Sequence, residues 1–220
     1  ALRAVGESEP ERREPAAGVD PDEAVEEARA LGATFDGVRL WSLYVPNGRE
    51  IGDPHFHYKL EWLDALAQNV AEWQEHEGDV PLALMGDFNI APLDTDVWDI
   101  HDFAGSTHVS APEREAFEAF EQIGLTDVVR PLIPEGYTYW DYQQLRFPRN
   151  EGMRIDLLYA TAPVAARVAW AEIDREARKG PPTPSDHAPV VIDLDEPGKP
   201  FDAGWEGALE RIAARTRPRG

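Results

Sequence analysis

Apolar residues along the chain fall into short blocks, and the spacing inside each block predicts its element. Residues 58–75 carry Leu60, Leu63, Leu66, Ala67, Val70 and Trp73 close to a 3.6-residue period, which predicts an amphipathic helix. A second helix is predicted over 113–123, with Gly124 suited to its C-terminal cap. Residues 38–45 (VRLWSLYV) alternate polar and apolar in part, as a strand does, and Pro46-Asn47-Gly48 ends the run. Residues 81–85 are a short apolar run ending at Gly86-Asp87, the pattern of a buried strand that opens into a loop. Residues 154–160 (RIDLLYA) and 188–194 (APVVIDL) read as further strands. Residues 22–30 read as a short helix or a polar strand, and Trp205, Leu209 and Ile212 share one face of a terminal helix over 205–213. Strands and helices in irregular order predict an α+β or layered α/β fold.

Composition narrows the class. The 220 residues suit one domain of ordinary size, and 42% hydrophobic against 29% charged residues allows a packed core. Residues 1 to about 22 are rich in Glu, Arg, Pro and Ala, so 1–37 is expected to be a polar leader, partly disordered. No apolar run approaches the length of a membrane-spanning helix, and the opening residues lack the apolar stretch of a signal peptide. The chain has no cysteine, which excludes disulfides and thiolate metal sites and fits a cytoplasmic location. A net charge of −21 argues against generic nucleic-acid binding, because phosphates repel a negative field. Positive charge is nevertheless concentrated towards one end. Residues 142–185 hold seven Arg or Lys against five acids, whereas 1–40 hold five against ten. A local basic face and plain charge balance both fit that pattern.

Several short segments carry candidate chemistry. Gly86-Asp87-Phe88-Asn89 follows an apolar strand, so Asp87 sits at a strand end, where it can hold a metal or take a proton from water. The neutral amide of Asn89 can donate to an anionic oxygen. The same segment also reads as an Asx turn. Ser185-Asp186-His187 sets a carboxylate and an imidazole side by side, and neighbours on an extended chain point to opposite sides. Asp156 lies in an otherwise apolar strand; a buried carboxylate needs a donor, and His187 is the candidate. Tyr44 and Asn47 end another strand and can hydrogen-bond phosphate, or simply turn the chain. Tyr137, Tyr139, Trp140 and Tyr142 pack four aromatics into six residues, to fill a core or to stack on a base.

Taken together, LYVPNG, YKLEWL, GDFNIAP, SAPERE, GLTDVVR, YTYWDY, RNEGMRIDLL, IDREAR and PSDHAPV follow the order of exonuclease III-type enzymes. From about residue 38 to 193 the chain resembles that family, within the exonuclease–endonuclease–phosphatase superfamily. The resemblance implies a four-layer α/β/β/α sandwich and a nuclease domain over 38–195, followed by a tail with a short helix over 196–220. It implies a Mg²⁺-dependent (or Mn²⁺-dependent) 3′→5′ exonuclease and abasic-site endonuclease of base-excision repair. The implied partner is double-stranded DNA with abasic sites or 3′ ends, met by a monomer away from membranes. By the same resemblance, Asp87 orients or deprotonates the attacking water and Asn89 steadies the phosphate. His187 binds phosphate and is oriented by Asp156, while Asp186 is a metal-site carboxylate. Tyr44 and Asn47 contact phosphate beside the reacting centre, and Tyr139 and Trp140 lie in the segment that probes an unpaired nucleotide.

The sequence departs from the family in two places. Family members begin with a strand bearing W/F-N-x-N and a strand ending in Q-E, whose Glu is the principal metal ligand. Nothing in 1–37 resembles either, because Glu7, Glu9, Glu11 and Glu14 lie in Pro/Arg-rich sequence. The chain thus resembles the C-terminal two-thirds of such an enzyme, and weak activity is expected of it alone. Gln143 stands where an Arg often follows the aromatic segment. The alternatives are a non-catalytic remnant that binds DNA or a partner, and a superfamily relative acting on a phospholipid or inositol phosphate.

Overall fold

The computed structural model describes residues 28–179 and 183–196, together with the backbone of Arg3–Ala4. The helix expected at 205–213 and most of the leader lie outside the described residues. Eight strands are described: β1 (Arg3–Ala4), β2 (Ala30–Phe35), β3 (Val38–Tyr44), β4 (Leu82–Asp87), β5 (Leu125–Asp127), β6 (Asp156–Thr161), β7 (Val168–Ile173) and β8 (Val190–Leu194). The first six form one sheet in the order β1-β2-β3-β4-β6-β5, and β7 pairs antiparallel with β8 in a second. The long helices are α1 (Pro54–Glu77) and α2 (Ala111–Gln122); α3 (Arg146–Arg149) and α4 (Ala162–Ala165) are single turns. None of the described helices is long and apolar enough to cross a membrane.

Strand alternation sorts side chains into two cores. On one face of the large sheet, Trp41, Leu43, Leu84, Leu157 and Tyr159 pack on Leu63, Leu66 and Val70 of α1 and on Phe117 and Phe120 of α2. On the other face, Val38, Ala83, Leu158 and Ala160 pack against Ala171, Val190 and Ile192 of the second sheet. Each fully buried leucine contributes roughly 1.5–3 kcal/mol by leaving water. Helices, large sheet and small sheet make three layers of the expected sandwich, in an α+β arrangement. The helix starts follow local chemistry. Asp53 caps α1 by accepting from His55 N, and Ser110 and Glu113 form a capping box at α2. Gly124, with φ +84°, follows α2 directly after its cap residue Ile123.

The expected leader is not uniform, because residues 30–35 are strand β2, paired along its whole length with β3. The signal lies in Asp36-Gly37, where both residues take positive φ (48° and 76°), the geometry of a tight two-residue hairpin turn. Ordered structure therefore starts before residue 38. The strands β5 and β7 also lay outside the expected set. The first is only three residues long, and the second alternates too weakly to stand out.

Gly86 fixes how closely β3 and β4 approach. Its φ is +137°, and a Cβ there runs into the carbonyl oxygen of Leu43, its partner on β3. Gly86→Ala is expected to lower stability by roughly 3 kcal/mol, from backbone strain plus a steric clash. A urea unfolding midpoint unchanged from the parent protein contradicts this.

Candidate active site

Three strand ends meet in one line. The parallel pairing of β3 with β4 sets Tyr44 beside Asp87, and the antiparallel pairing of β4 with β6 sets Asp87 beside Asp156. Alternation along β4 and β6 turns both carboxylates away from the helices and towards the second sheet. The loop before β8 then brings in His187, whose Nδ1 lies 2.8 Å from Asp156 Oδ2. A carboxylate only accepts, so Nδ1 carries the proton and Nε2 is left for a ligand. This loop is stitched to the aromatic segment: Ala188 N donates to Thr138 O (2.7 Å) and Trp140 N donates to Asp186 O (3.0 Å). Thr138 Oγ1 accepts from Asp156 N (3.0 Å), which fixes the start of β6. Beside the dyad a cavity of about 390 Å³ is lined by Met85, Gly86, Asp156, Leu158, His187 and Pro189.

Asn89 completes the cluster. Its backbone N and side-chain Nδ2 donate to the two oxygens of Asp87, at 2.8 and 3.1 Å. Asn47 Nδ2 donates to Asn89 Oδ1 (2.9 Å), joining the turn after β3 to the loop after β4. Asp87, Asn89, Asp156, His187 and Asn47 thus form one connected set. Tyr44 stands at its edge with 55% of its surface exposed and Arg29 stacked 5.2 Å from its ring. Asp186 is half-buried next to His187, and its carboxylate takes no hydrogen bond among the described residues.

The aromatic segment divides. Tyr139 is half-buried with its ring 4.8 Å from that of His187, and so borders the site. Trp140, expected at the substrate, is fully buried against Phe147 and beneath Arg175. A ring without exposed surface cannot stack on a base, so its role is to pack the loop. Most of the basic residues of 142–185 are also engaged within the fold. Arg146 and Arg149 pair with Glu151, Arg167 with Asp195 and Lys179 with Glu176, while Arg154 is buried. Arg178 joins the aromatic group to the site loop by donating to Ser185 O and Trp140 O.

Electrostatics follow from burial and like charge. Burial, then the neighbouring Asp156 carboxylate, push Asp87 up to about 7, against the pull of His187, the Asn89 amide and Lys59. For His187, burial opposes the imidazolium. The hydrogen bond and charge of Asp156, with Asp87 and Asp186, outweigh it and hold the pKa above the ordinary value. Burial and the acids Asp141, Asp186 and Asp87 raise Tyr139 to about 12, so its phenol stays protonated.

Sequence reasoning missed Lys59 and Glu113, which lie fully buried below Asn89 and are joined at 2.5 Å. The signal was present in a lysine on the apolar stripe Phe56, Leu63, Leu66, Val70, and in the Ser-x-x-Glu capping pattern of 110–113. Among the described residues no three acids or histidines converge to hold an ion.

The Endonuclease/Exonuclease/phosphatase family matches residues 13–187, beginning earlier than the motifs at residue 38. An exodeoxyribonuclease of Bacillus subtilis is 28% identical over 178 residues, which span 80% of this chain and 67% of that protein. The DNA repair nuclease APEX1 of Danio rerio is 27% identical over 180 residues, 80% of this chain but only 55% of its own length. A solved 3′ phosphatase from Neisseria, bound to a product DNA hairpin, superposes with a TM-score of 0.73 at 36% identity. It covers 81% of this chain and 69% of that one.

Two pH-dependent outcomes follow. Asp156→Asn removes the strongest group that holds His187 up, so its pKa should fall from the parent value, read by NMR titration of the ring protons. In the parent, the Asp156 contact stabilises the fold below pH 6.5 and is lost as pH rises through the raised His187 pKa. Asp87 works the other way: from its ordinary 3.8 up to about 7 the folded protein keeps a proton that the unfolded chain releases. Stability therefore falls as pH rises across that window, and Asp87→Asn should flatten the slope. Equal slopes in thermal melts of the two proteins contradict the assignment.

Proposed function

The chain belongs to the Endonuclease/Exonuclease/phosphatase family, on its exodeoxyribonuclease III-type branch, and on that premise we propose that it is a DNA phosphodiesterase of base-excision repair. It acts as a 3′→5′ exonuclease and as an endonuclease at abasic sites. The observation that carries this reading is the cluster of Asp87, Asn89, Asp156 and His187 at the sheet end, where Asp156 and His187 line a cavity. A carboxyl group near pH 7 is suited to accept a proton from water. Asp87 takes that proton while the water oxygen attacks phosphorus. The P–O bond in line with it breaks, and the leaving sugar oxygen gains a proton from solvent. His187, fixed by Asp156 through Nδ1, in its imidazolium form presents Nε2–H to a phosphate oxygen, and Asn89 adds a neutral donor. Tyr44 beside Asp87, Asn47 on Asn89 and Tyr139 on His187 flank this cluster and contact the adjoining phosphate and nucleotide.

A divalent cation, Mg²⁺ or Mn²⁺, is the cofactor that the family implies, with Asp186 as its carboxylate. Mg²⁺ usually needs one or two carboxylates together with substrate oxygens. Beside His187 the Asp186 carboxylate accepts no hydrogen bond among the described residues, and these residues hold no cluster of three ligating groups. They do not make a complete metal site. That shortfall favours a second reading, in which the chain binds DNA or a partner without cutting.

The deciding assay is cleavage of a duplex containing one abasic site, with Mg²⁺ and with chelator. Asp87→Asn and His187→Gln should each slow cleavage by roughly 10²–10⁴-fold, the usual weight of a positioned acid or base. Full activity in Asp87→Asn removes the water-activating role. Tight duplex binding with no cleavage in Mg²⁺ or Mn²⁺ supports the second reading.

A further inference from the structure

A lysine inside a hydrophobic core requires a reason, because a leucine or methionine fills the same space without a charge to desolvate. Lys59 lies on the apolar face of α1 and is fully buried. Its ammonium has three donors, and all three are used: Glu113 Oε1 at 2.5 Å, Asn89 O at 2.6 Å and Asn47 O at 3.3 Å. Two of those acceptors are the backbone carbonyls of Asn47 and Asn89 in the site. Glu113 is held in turn by Thr107 Oγ1, His108 N and Ser110 Oγ. His108 Nδ1 is the second donor to Asn89 O, at 2.5 Å, and burial followed by the Lys59 charge pulls the pKa of that ring down to about 4. It is a neutral donor at working pH.

These bonds converge on a residue whose backbone takes the left-handed turn. Asn89 has φ +52°, in the left-handed region that asparagine adopts more readily than other side-chain-bearing residues. That turn aims its side chain back at Asp87 Oδ2 and at Val45 O. We propose that Lys59, paired with Glu113, is a positioning residue for the phosphodiester reaction, clamping the Asn89 carbonyl from below so that its amide stays on Asp87. The inference rests on the proposed reaction for its kinetic effect and on geometry alone for the clamp. Gly48 shows how little slack the arrangement has, since a Cβ there comes within 3.1 Å of Lys59 Cδ and Thr107 Oγ1.

The test compares the parent protein with the double variant Lys59→Met/Glu113→Leu, which removes both charges and leaves neither stranded. With fold retained by circular dichroism and melting, kcat on the abasic duplex should fall by roughly 10–100-fold, as expected of a reacting group displaced by about 1 Å. KM should stay within about threefold, because the clamp touches no substrate. The acidic limb of the pH profile should move to higher pH, since Asp87 then faces only Asp156 and His187 as charged neighbours. A readout independent of cleavage is the Asn89 side-chain amide, whose protons should be exchange-protected in the parent and lose that protection in the variant. A folded double variant with kcat, pH profile and Asn89 protection all unchanged overturns the proposal. If the double variant does not fold, Glu113→Gln carries the test, and a change in kcat below twofold there overturns it. A parent protein that cleaves no phosphodiester defeats the functional reading, while the Asn89 measurement still decides the clamp.

Discussion

The antiparallel pairing of β4 with β6 is the constraint on which the site depends. It sets Asp87 and Asp156 side by side at the sheet end, in a partly dry place where two like charges cannot both ionise freely. The register is fixed by packing remote from the chemistry. Leu84, Leu157 and Tyr159 must face the helices, and a slip of one residue would bury the carboxylates beneath them. Gly86 lets the β4 backbone approach β3 closely enough for Tyr44 and Asp87 to share that line. Core and site therefore have a single solution.

The site is held from two sides by different means. From the second sheet, the loop before β8 delivers His187, and the Arg178 contacts with Ser185 and the Trp140 group keep that loop in place. From the helical side, an ion pair between α1 and α2 reaches the backbone of Asn89 and Asn47. The chain's net charge of −21, with Arg146, Arg167 and Lys179 paired to acids within the fold, leaves little general attraction for a polyanion. Under the proposed function, recognition then relies on local donors, chiefly His187, Asn89 and Asn47, more than on a broad basic surface.

The sequence made much of this legible. Apolar spacing located α1 and β3, and short apolar segments located β4, β6 and β8, because each places large apolar residues against the core. The pairing of Asp156 with His187 followed from the cost of a lone carboxylate in an apolar strand. Less was legible where the pattern is short or the context non-local. The strand β2 sits in polar surroundings and announces itself mainly by its Asp-Gly turn. Trp140 reads as a stacking surface because four aromatics in six residues do not say which ring points inward.

By itself the sequence determined which residues are candidates for the chemistry and which elements end beside most of them, since motifs and hydrophobic periods are local properties of the chain. Only the tertiary structure decided which groups share charge, burial and hydrogen bonds. Asp87 is raised by burial and then by Asp156, sixty-nine positions away in sequence, and Asn89 is gripped by Lys59 and His108 from separate elements. Those effects depend on distances and on excluded water, which exist once the sheets and helices have packed.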